Sequence, residues 1–544
     1  MSWQYKLASS MRASPLRALT RANGLLHCPA ARGAAGCLSA RSEPIMTQTT
    51  VAYTAKRTLS AVKSRKCLNV DNINQHVKDA KYAVRGELAV KAEAYRQRLI
   101  DGDKSLPFDS VIFANIGNPQ QLDQQPITFF RQVLSLVENP LLLKNPEVLK
   151  ESFGYKQDVI DRAQALLVNV QSVGAYSHSQ GAPGIRDSVA KFIEKRDGFP
   201  ANPQDLFLTA GASSGVSTIL NVICNDPSAG ILVPIPQYPL YTASLTLLNA
   251  RCVPYLLEED KAWGTDVNVI LKSMEEAKAA GTDVRAIVVI NPGNPTGASL
   301  SADDIKKVLD VAAAESLVVI ADEVYQTNVF QGEFVSFKKR LCQLQQEQPG
   351  KYDDVELVSL HSLSKGMVGE CGHRGGYFEL VGFDPLVQEQ IYKLVSIGLC
   401  PPVVAQCLLE CMVNPPLKGD PSYELYHKEY NAISDGLRKR AHSLFNAFQR
   451  MEGVELQEPQ GAMYLFPTIH LPQKAVDAAA AEGRPADEFY CLALLDATGV
   501  CVVPGSGFGQ KENTFHFRTT FLAPGIDWVE RIVNFHSEFM NKYR

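Results

Sequence analysis

The sequence predicts an α/β protein in which a mostly parallel sheet, sandwiched by helices, is accompanied by a smaller α+β domain. Between residues 206 and 381, short apolar runs alternate with segments of helical periodicity, which favours parallel strands joined by helical crossovers. After Pro401 and Pro402 the pattern changes to a long helical segment followed by short strand-like runs. At 544 residues, the chain is long enough for two or three domains.

Each expected element has its own signal in the chain. Apolar runs predict strands over residues 110–114, 206–208, 231–233, 251–256, 286–290, 317–321, 355–360, 377–381, 454–457, 462–466, 500–503 and 514–522. Helical spacing predicts helices over residues 73–85, 86–99, 127–138, 187–195, 215–223, 301–315, 423–451 and 527–543. Ser301 and Asp304 form a capping box at the start of one of these helices.

The overall composition excludes several classes of protein. Hydrophobic residues make up 45% and charged residues 21% of the chain, as is usual for soluble globular proteins. A net charge of −4 gives no basic surface for nucleic acid, and no apolar run is long enough to span a membrane. The twelve cysteines lack the spacing of metal ligands, so we expect no metal and reduced thiols.

The first 45 residues differ from the rest of the chain. Residues 1–42 contain no Asp or Glu but carry six Lys or Arg residues among Ala, Ser and Leu. This composition is typical of a mitochondrial transit peptide and lacks the apolar centre of a secretory signal. We therefore expect a protein of the mitochondrial matrix, and Met46 is a candidate start for a second, cytosolic form.

Residues that can carry chemistry follow several predicted strands. Gly211, Ala212 and Ser213 stand between a strand and a helix N-terminus, where free N–H groups favour a phosphate. Other such segments are 291–297, 322–325, the Ser- and Gly-rich loop 361–377 around Lys365, and Phe517–Arg518. Because parallel strands end at one edge of a sheet, these segments are expected to meet there.

These segments resemble those of the class I aminotransferases, which use pyridoxal 5'-phosphate, and the resemblance is greatest to the alanine aminotransferase group. The motifs that carry it occupy residues 115–120, 176–186, 235–241, 291–297, 321–325, 364–377 and 503–509. The similarity extends from about residue 70 to the C-terminus. It implies the fold type I of pyridoxal-phosphate-dependent transferases. It also implies an N-terminal arm and part of the small domain over 46–130, a large cofactor-binding domain over 131–400, and the rest of the small domain over 401–544.

The resemblance assigns roles to individual residues. Lys365 would be the catalytic residue, attached to the cofactor and moving the proton at the substrate Cα. Asp322 would keep the cofactor ring nitrogen protonated, and Arg518 with Gly117 would bind the substrate carboxylate. Tyr176 would reach the cofactor of the partner in a homodimer. The implied cofactor-binding residues are Tyr176, Ala212, Ser213, Tyr238, Asn294, Asp322, Tyr325, Ser362, Lys365 and Arg374.

The function implied by the resemblance is ping-pong transfer of an amino group between L-alanine and 2-oxoglutarate, giving pyruvate and L-glutamate. One alternative is a transaminase or lyase that uses the same cofactor on another small amino acid. A second is a binding protein that has kept the fold without turnover. The presence of Lys365, Asp322 and Arg518 speaks against the second alternative, because a protein without turnover would tolerate their loss.

Overall fold

A seven-stranded sheet lies at the centre of the fold. The structure is a computed structural model that describes residues 68–81 and 86–544. The strands are β1 Ile112–Phe113, β2 Leu206–Thr209, β3 Ala229–Ile235, β4 Arg251–Leu256, β5 Asp283–Ile290, β6 Val318–Asp322, β7 Leu357–Ser362, β8 Gly376–Val381, β9 Val454–Glu455, β10 Tyr464–Leu465, β11 Thr468–Ile469, β12 Val500–Cys501, β13 Val503–Pro504 and β14 Phe517–Thr520.

Helices precede, connect and follow these strands. They are α1 Gln75–Asp79, α2 Glu87–Ile100, α3 Thr128–Glu138, α4 Pro146–Phe153, α5 Gln157–Val170, α6 Pro183–Asp197, α7 Ala212–Ile223, α8 Leu240–Leu247, α9 Val267–Ala279, α10 Ala302–Glu315, α11 Phe337–Glu347, α12 Pro385–Ile397, α13 Val403–Val413, α14 Tyr423–Phe448, α15 Gln473–Ala481, α16 Ala486–Thr498 and α17 Asp527–Tyr543. Within the described part of the chain, none of them is both long and apolar enough to cross a membrane.

The sheet is mostly parallel, as the sequence predicts. Its strand order is β2-β8-β7-β6-β5-β3-β4, and only β8 runs antiparallel to its neighbours. The carboxyl ends of the six other strands therefore lie at one edge, and β8 begins at that same edge.

Helices cover both faces of the sheet because successive strand residues point to opposite sides. Along β7, Leu357 packs with α9, α10 and α11, whereas Val358 and Leu360 pack with α7, α8 and α12. The register is thus fixed by two separate apolar clusters. A third cluster, formed by α3, α5, α6 and α13, covers β2 at the edge of the sheet.

A smaller antiparallel sheet, of order β10-β14-β13, packs against α14, α16 and α17. The apolar cluster beneath it also includes Leu88 and Ala92 of α2, so α2 packs with the C-terminal helices. Helix α13 packs instead with α3 and α6 beside the large sheet. The domain boundaries near residues 130 and 400 remain predictions.

Most predicted elements are present with slightly different ends. The strand predicted over 251–256 and the helix over 527–543 have the predicted limits. The capping box of Ser301 and Asp304 is also formed. The helix predicted over 73–85 extends only over Gln75–Asp79 among the described residues, and residues 82–85 and the predicted transit peptide lie outside them. Helices also lie where none was predicted, namely α4, α5, α8, α9, α11, α12, α13, α15 and α16.

Candidate active site

The predicted site residues meet at the carboxyl edge of the large sheet. Asp322 is the last residue of β6, and Lys365 follows β7 by three residues. Gly211 lies between β2 and α7, and Arg374 lies two residues before the start of β8. The strand order places the ends of β6, β7, β8 and β2 side by side, which brings these four residues together.

Asp322 is a buried carboxylate with one unused oxygen. Its Oδ2 accepts a hydrogen bond of 2.9 Å from the hydroxyl of Tyr241, whereas Oδ1 has no partner among the described residues. Burial raises the pKa of Asp322, although the Tyr241 hydroxyl, the backbone N–H of Val324 and the charge of Lys365 oppose that rise. A cationic N–H group of a ligand would satisfy the free oxygen and stabilise the charge.

Lys365 extends toward an aromatic and amide cluster. Its Nζ lies 5.7 Å from the centre of the Tyr325 ring. The Asn294 side-chain amide donates to the Tyr325 hydroxyl at 3.4 Å. Tyr325 is completely buried, and burial raises its pKa well above the ordinary value, so its hydroxyl keeps its proton as a hydrogen-bond donor. Tyr238, one of the implied cofactor-binding residues, is half-buried and close enough to contribute to that rise.

An anion cradle lies beside the lysine and consists of Gly211, Ala212, Ser213, Ser362, Ser364 and Arg374. Arg374 donates to the hydroxyl of Ser364 at 3.3 Å and to that of Ser213 at 3.5 Å. Helix α7 begins at Ala212, so the free backbone N–H groups of its first turn face the anion cradle.

Gly211 and Ser362 shape this cradle. Gly211 has a φ of +86°, and a Cβ at that position would overlap the Arg374 guanidinium. The Ser362 hydroxyl accepts the backbone N–H of Ser364 at 3.0 Å and fixes the turn that leads to Lys365. The cradle therefore combines a helix N-terminus, hydroxyls and one guanidinium, which suits a phosphate group.

Arg518 is fully buried in β14 on the other side of the lysine. Its Nη1 donates to Asn294 Oδ1 at 2.9 Å and its Nη2 to the carbonyl of Asn115. Its guanidinium also lies 4.1 Å from the centre of the Tyr464 ring and 4.7 Å from that of Phe508. No carboxylate pairs with it among the described residues, and its Nε has no partner there.

A buried cation without an anion is costly unless a ligand supplies the anion. Gly117 lies beside this place, because a Cβ on it would overlap the Tyr464 hydroxyl. Only a glycine leaves room there for the hydroxyl and for a ligand beside Arg518. The arrangement suits a small molecule that carries a carboxylate a short distance from a group bound to Lys365.

Tyr176 does not join this cluster. Its side chain is 80% exposed on the loop before α6. The next residue, Ser177, donates its backbone N–H to the thiol of Cys400 at 3.4 Å, and the ring of His178 stacks on that of Tyr392 at 5.4 Å. Tyr176 therefore lies on an outer surface next to the segment that follows α12.

The comparisons with known proteins agree with this geometry. The family model "Aminotransferase class I and II" matches residues 150–527. The chain belongs to this family. It is 52% identical over 481 residues to the mitochondrial alanine aminotransferase of Saccharomyces cerevisiae, covering 88% of this chain and 81% of the relative.

Two further relatives of this aminotransferase are informative. A protein of the same yeast, named an inactive alanine aminotransferase, is 48% identical over 87% of this chain and 94% of its own length. Among solved structures, the alanine aminotransferase of Pyrococcus furiosus matches with a TM-score of 0.66 and 26% identity, over 86% of this chain and all of that chain. The predicted family and fold class are confirmed.

Three residues of this aminotransferase site had no predicted role. Tyr241 holds Asp322, the backbone carbonyl of Asn115 accepts from Arg518, and Tyr464 stacks on Arg518 and meets the Tyr325 ring edge-on. Tyr241 and Asn115 lie inside motifs that carried the resemblance, so position in the motif could have indicated them. Tyr464 lies in a predicted strand without any polar motif, and nothing in the neighbouring residues indicated a role for it.

Proposed function

We propose that the chain is an active, pyridoxal-phosphate-dependent transaminase that exchanges an amino group between L-alanine and 2-oxoglutarate by a ping-pong mechanism. Its products are pyruvate and L-glutamate. The observation that carries the proposal is the convergence of Lys365, Asp322 and unpaired Arg518 on one centre. The names of the relatives support the choice of substrates.

The residues present fit pyridoxal phosphate on two independent grounds. The free oxygen of buried Asp322 suits the protonated nitrogen of a pyridine ring. The cradle around Arg374 and Gly211 suits the phosphate. When bound, this cofactor supplies an aldehyde for covalent attachment and an electron-withdrawing ring that stabilises negative charge at the substrate Cα.

The chain's own residues perform the remaining tasks. Lys365 Nζ provides covalent attachment and, once released, takes a proton from the substrate Cα and returns it at the other end of the transfer. Arg518 binds the α-carboxylate through its planar guanidinium and so fixes which Cα bond faces the lysine. Asp322, held by Tyr241, keeps its negative charge beside the ring nitrogen.

We also propose a homodimer. Exposed apolar side chains lie just before Cys400, which contacts the neighbour of Tyr176: Ile397 is 78% and Leu399 50% exposed. A second copy would bury this surface and bring Tyr176 to the partner's cofactor. Sedimentation equilibrium tests this: Ile397→Asp should weaken association and activity together, and a monomeric, fully active wild type would refute the proposal.

We propose the mitochondrial matrix as the location, supported by the composition of residues 1–45 and by the mitochondrial relative. Fusion of residues 1–50 to a reporter tests import. Removal of the first 45 residues, so that translation starts at Met46, should leave the reporter cytosolic. Import that is independent of these residues would contradict the assignment.

Activity is tested with purified protein supplied with pyridoxal phosphate, L-alanine and 2-oxoglutarate. Pyruvate should form, and borohydride reduction followed by peptide mapping should place the cofactor on Lys365. Lys365→Ala should abolish turnover, whereas Lys351→Ala, at a lysine paired with Asp310 on the surface, should not. A label on another residue would refute the assignment.

The family includes a relative named as inactive, so a chain without turnover is the alternative. Cofactor binding without pyruvate formation would establish it. A spectral change with another small amino acid but not with L-alanine would instead retain the enzyme class and overturn the substrate.

A further inference from the structure

Tyr464 occupies a central position that the proposed mechanism does not use. It lies on β10, and only 2% of its surface is exposed. Its ring packs against the guanidinium of Arg518 at 4.1 Å and meets the ring of Tyr325 edge-on at 6.1 Å. Its hydroxyl lies against Gly117. One side chain thus links the carboxylate-binding arginine with the tyrosine beside Lys365.

The hydrogen bond between the hydroxyls of these two tyrosines is donated by Tyr325, because it lowers the pKa of Tyr464 and contributes to the raised pKa of Tyr325. Burial acts to raise the pKa of Tyr464, but the positive charges of Lys365 and Arg518 together with this hydrogen bond outweigh it. A phenol between two cations is a stronger hydrogen-bond donor than an ordinary tyrosine.

Each hydroxyl can donate one proton and accept others. Asn294 already donates to the oxygen of Tyr325. When Tyr325 donates its proton to a ligand held by Lys365 instead, the direction of this bond reverses, and the oxygen of Tyr325 accepts the proton of Tyr464. Donors arranged in series polarise one another, so the first strengthens the second.

We propose that Tyr464 is a positioning residue that donates to Tyr325 and thereby strengthens the hydrogen bond from Tyr325 to the phenolic oxygen of pyridoxal phosphate. The proposal rests on the proposed function, because it requires that cofactor at Lys365. Tyr464 acts only through Tyr325 and does not touch the reacting atoms.

The consequence concerns the basicity of the imine nitrogen that joins Lys365 to the cofactor. Hydrogen bonds to the phenolic oxygen stabilise its negative charge and lower the pKa of that nitrogen. Tyr464→Phe keeps the ring over Arg518 and removes only the donor. A hydrogen bond to the charged oxygen contributes about 1.5–3 kcal/mol, and polarisation supplies roughly 10–30% of it, so the loss of the Tyr464 donor corresponds to a rise of roughly 0.1–0.7 in the apparent pKa.

The test is a pH titration of the visible absorbance of the cofactor-loaded protein. Tyr464→Phe should raise the midpoint by that amount, and Tyr352→Phe should leave it unchanged. Tyr352 is a matched control because its buried ring also donates one hydrogen bond, to Asp310 at 2.6 Å, in a different apolar cluster. An unchanged midpoint in Tyr464→Phe, with the cofactor on Lys365, would overturn the proposal and leave the proposed function intact.

A double-mutant cycle separates this role from a structural one. In a Tyr325→Phe background, Tyr464→Phe should produce no further shift, because its effect passes through the Tyr325 hydroxyl. Additive shifts would show that Tyr464 acts independently of Tyr325 and would overturn the proposal. Absence of any cofactor absorbance in the wild type would overturn the proposed function and this role together.

The protein without cofactor gives a second readout. Ultraviolet absorbance at alkaline pH follows tyrosine ionisation, and the wild type should show one tyrosine that ionises below the ordinary range. That early transition should disappear in Tyr464→Phe and persist in Tyr352→Phe. If it persists in Tyr464→Phe, the two cations do not act on this hydroxyl and the proposal fails.

Discussion

Replacement of Arg518 by lysine tests whether the guanidinium binds the substrate carboxylate. Lysine keeps the charge but replaces a planar fork by a single ammonium. In the wild type, one nitrogen donates to Asn294 and another to Asn115, while Nε has no described partner. A lysine cannot keep both of these contacts and also hold a carboxylate through two parallel bonds.

The expected loss follows from these contacts. One charge-assisted hydrogen bond to the substrate contributes about 1.5–3 kcal/mol, so kcat/KM for L-alanine should fall roughly 10- to 150-fold. The first half-reaction, in which L-alanine is added without a keto acid, can be followed by the absorbance of the cofactor. Ethylamine is the matched substrate, because it lacks the carboxylate, and its rate should change less than about threefold.

Arg440→Lys serves as the control variant. Arg440 is a half-buried arginine that donates to the carbonyl of Phe521 at 2.8 Å and has no place in the site. It should leave the preference for L-alanine over ethylamine unchanged. Carboxylate binding by Arg518 is refuted if Arg518→Lys retains full kcat/KM for L-alanine. It is refuted equally if both substrates lose the same factor, because the arginine would then support the fold and not bind the carboxylate.

Three further perturbations have defined outcomes. Gly211→Ala should weaken pyridoxal phosphate binding about tenfold or more in a fluorescence titration, because the new methyl group displaces Arg374, whereas Gly332→Ala, at a similar φ of +70° in open space, should bind normally. Burial raises the pKa of Glu323 from 4.5 to about 7, so the folded state holds its proton more tightly than the unfolded state. The free energy of unfolding should therefore fall by roughly 2–3 kcal/mol between pH 5 and 8 relative to Glu323→Gln, and equal pH dependence in both proteins would contradict the assignment. Ser301→Ala should lower stability by about 1 kcal/mol in chemical denaturation without a change in KM, since it removes only the cap of α10.

The sequence predicted best those elements whose formation depends on residues close together in the chain. Strands such as β5 are buried on both faces and appear as unbroken apolar runs, so their positions were predicted within a few residues. The loops that follow them were predicted for the same reason. Helix α11 was missed although Phe337, Leu341 and Leu344 have helical spacing, because polar residues make up most of the segment.

Contacts between distant segments could not be predicted. The hydrogen bond from Arg518 to Asn115 joins residues 403 positions apart, and nothing in either local sequence specifies that pairing. The role of Tyr464 could not be predicted either, since an aromatic residue in a short strand is usually a core residue. The loop around Lys365, by contrast, was singled out by its Ser and Gly content at the end of a strand, and the resemblance to a known family then assigned the role of the lysine.

Asp322 and Glu323 are adjacent in the chain but serve opposite sides of the large sheet. Asp322 meets Tyr241 of α8, whereas Glu323 accepts the Ser359 hydroxyl and the first backbone N–H of α11, each at 2.8 Å. At the end of β6, Asp322 thus belongs to the candidate active site, whereas the next residue, Glu323, connects the sheet to α11. Exchanging the two acids would conserve composition and charge, yet it would leave each layer with a side chain of the wrong length.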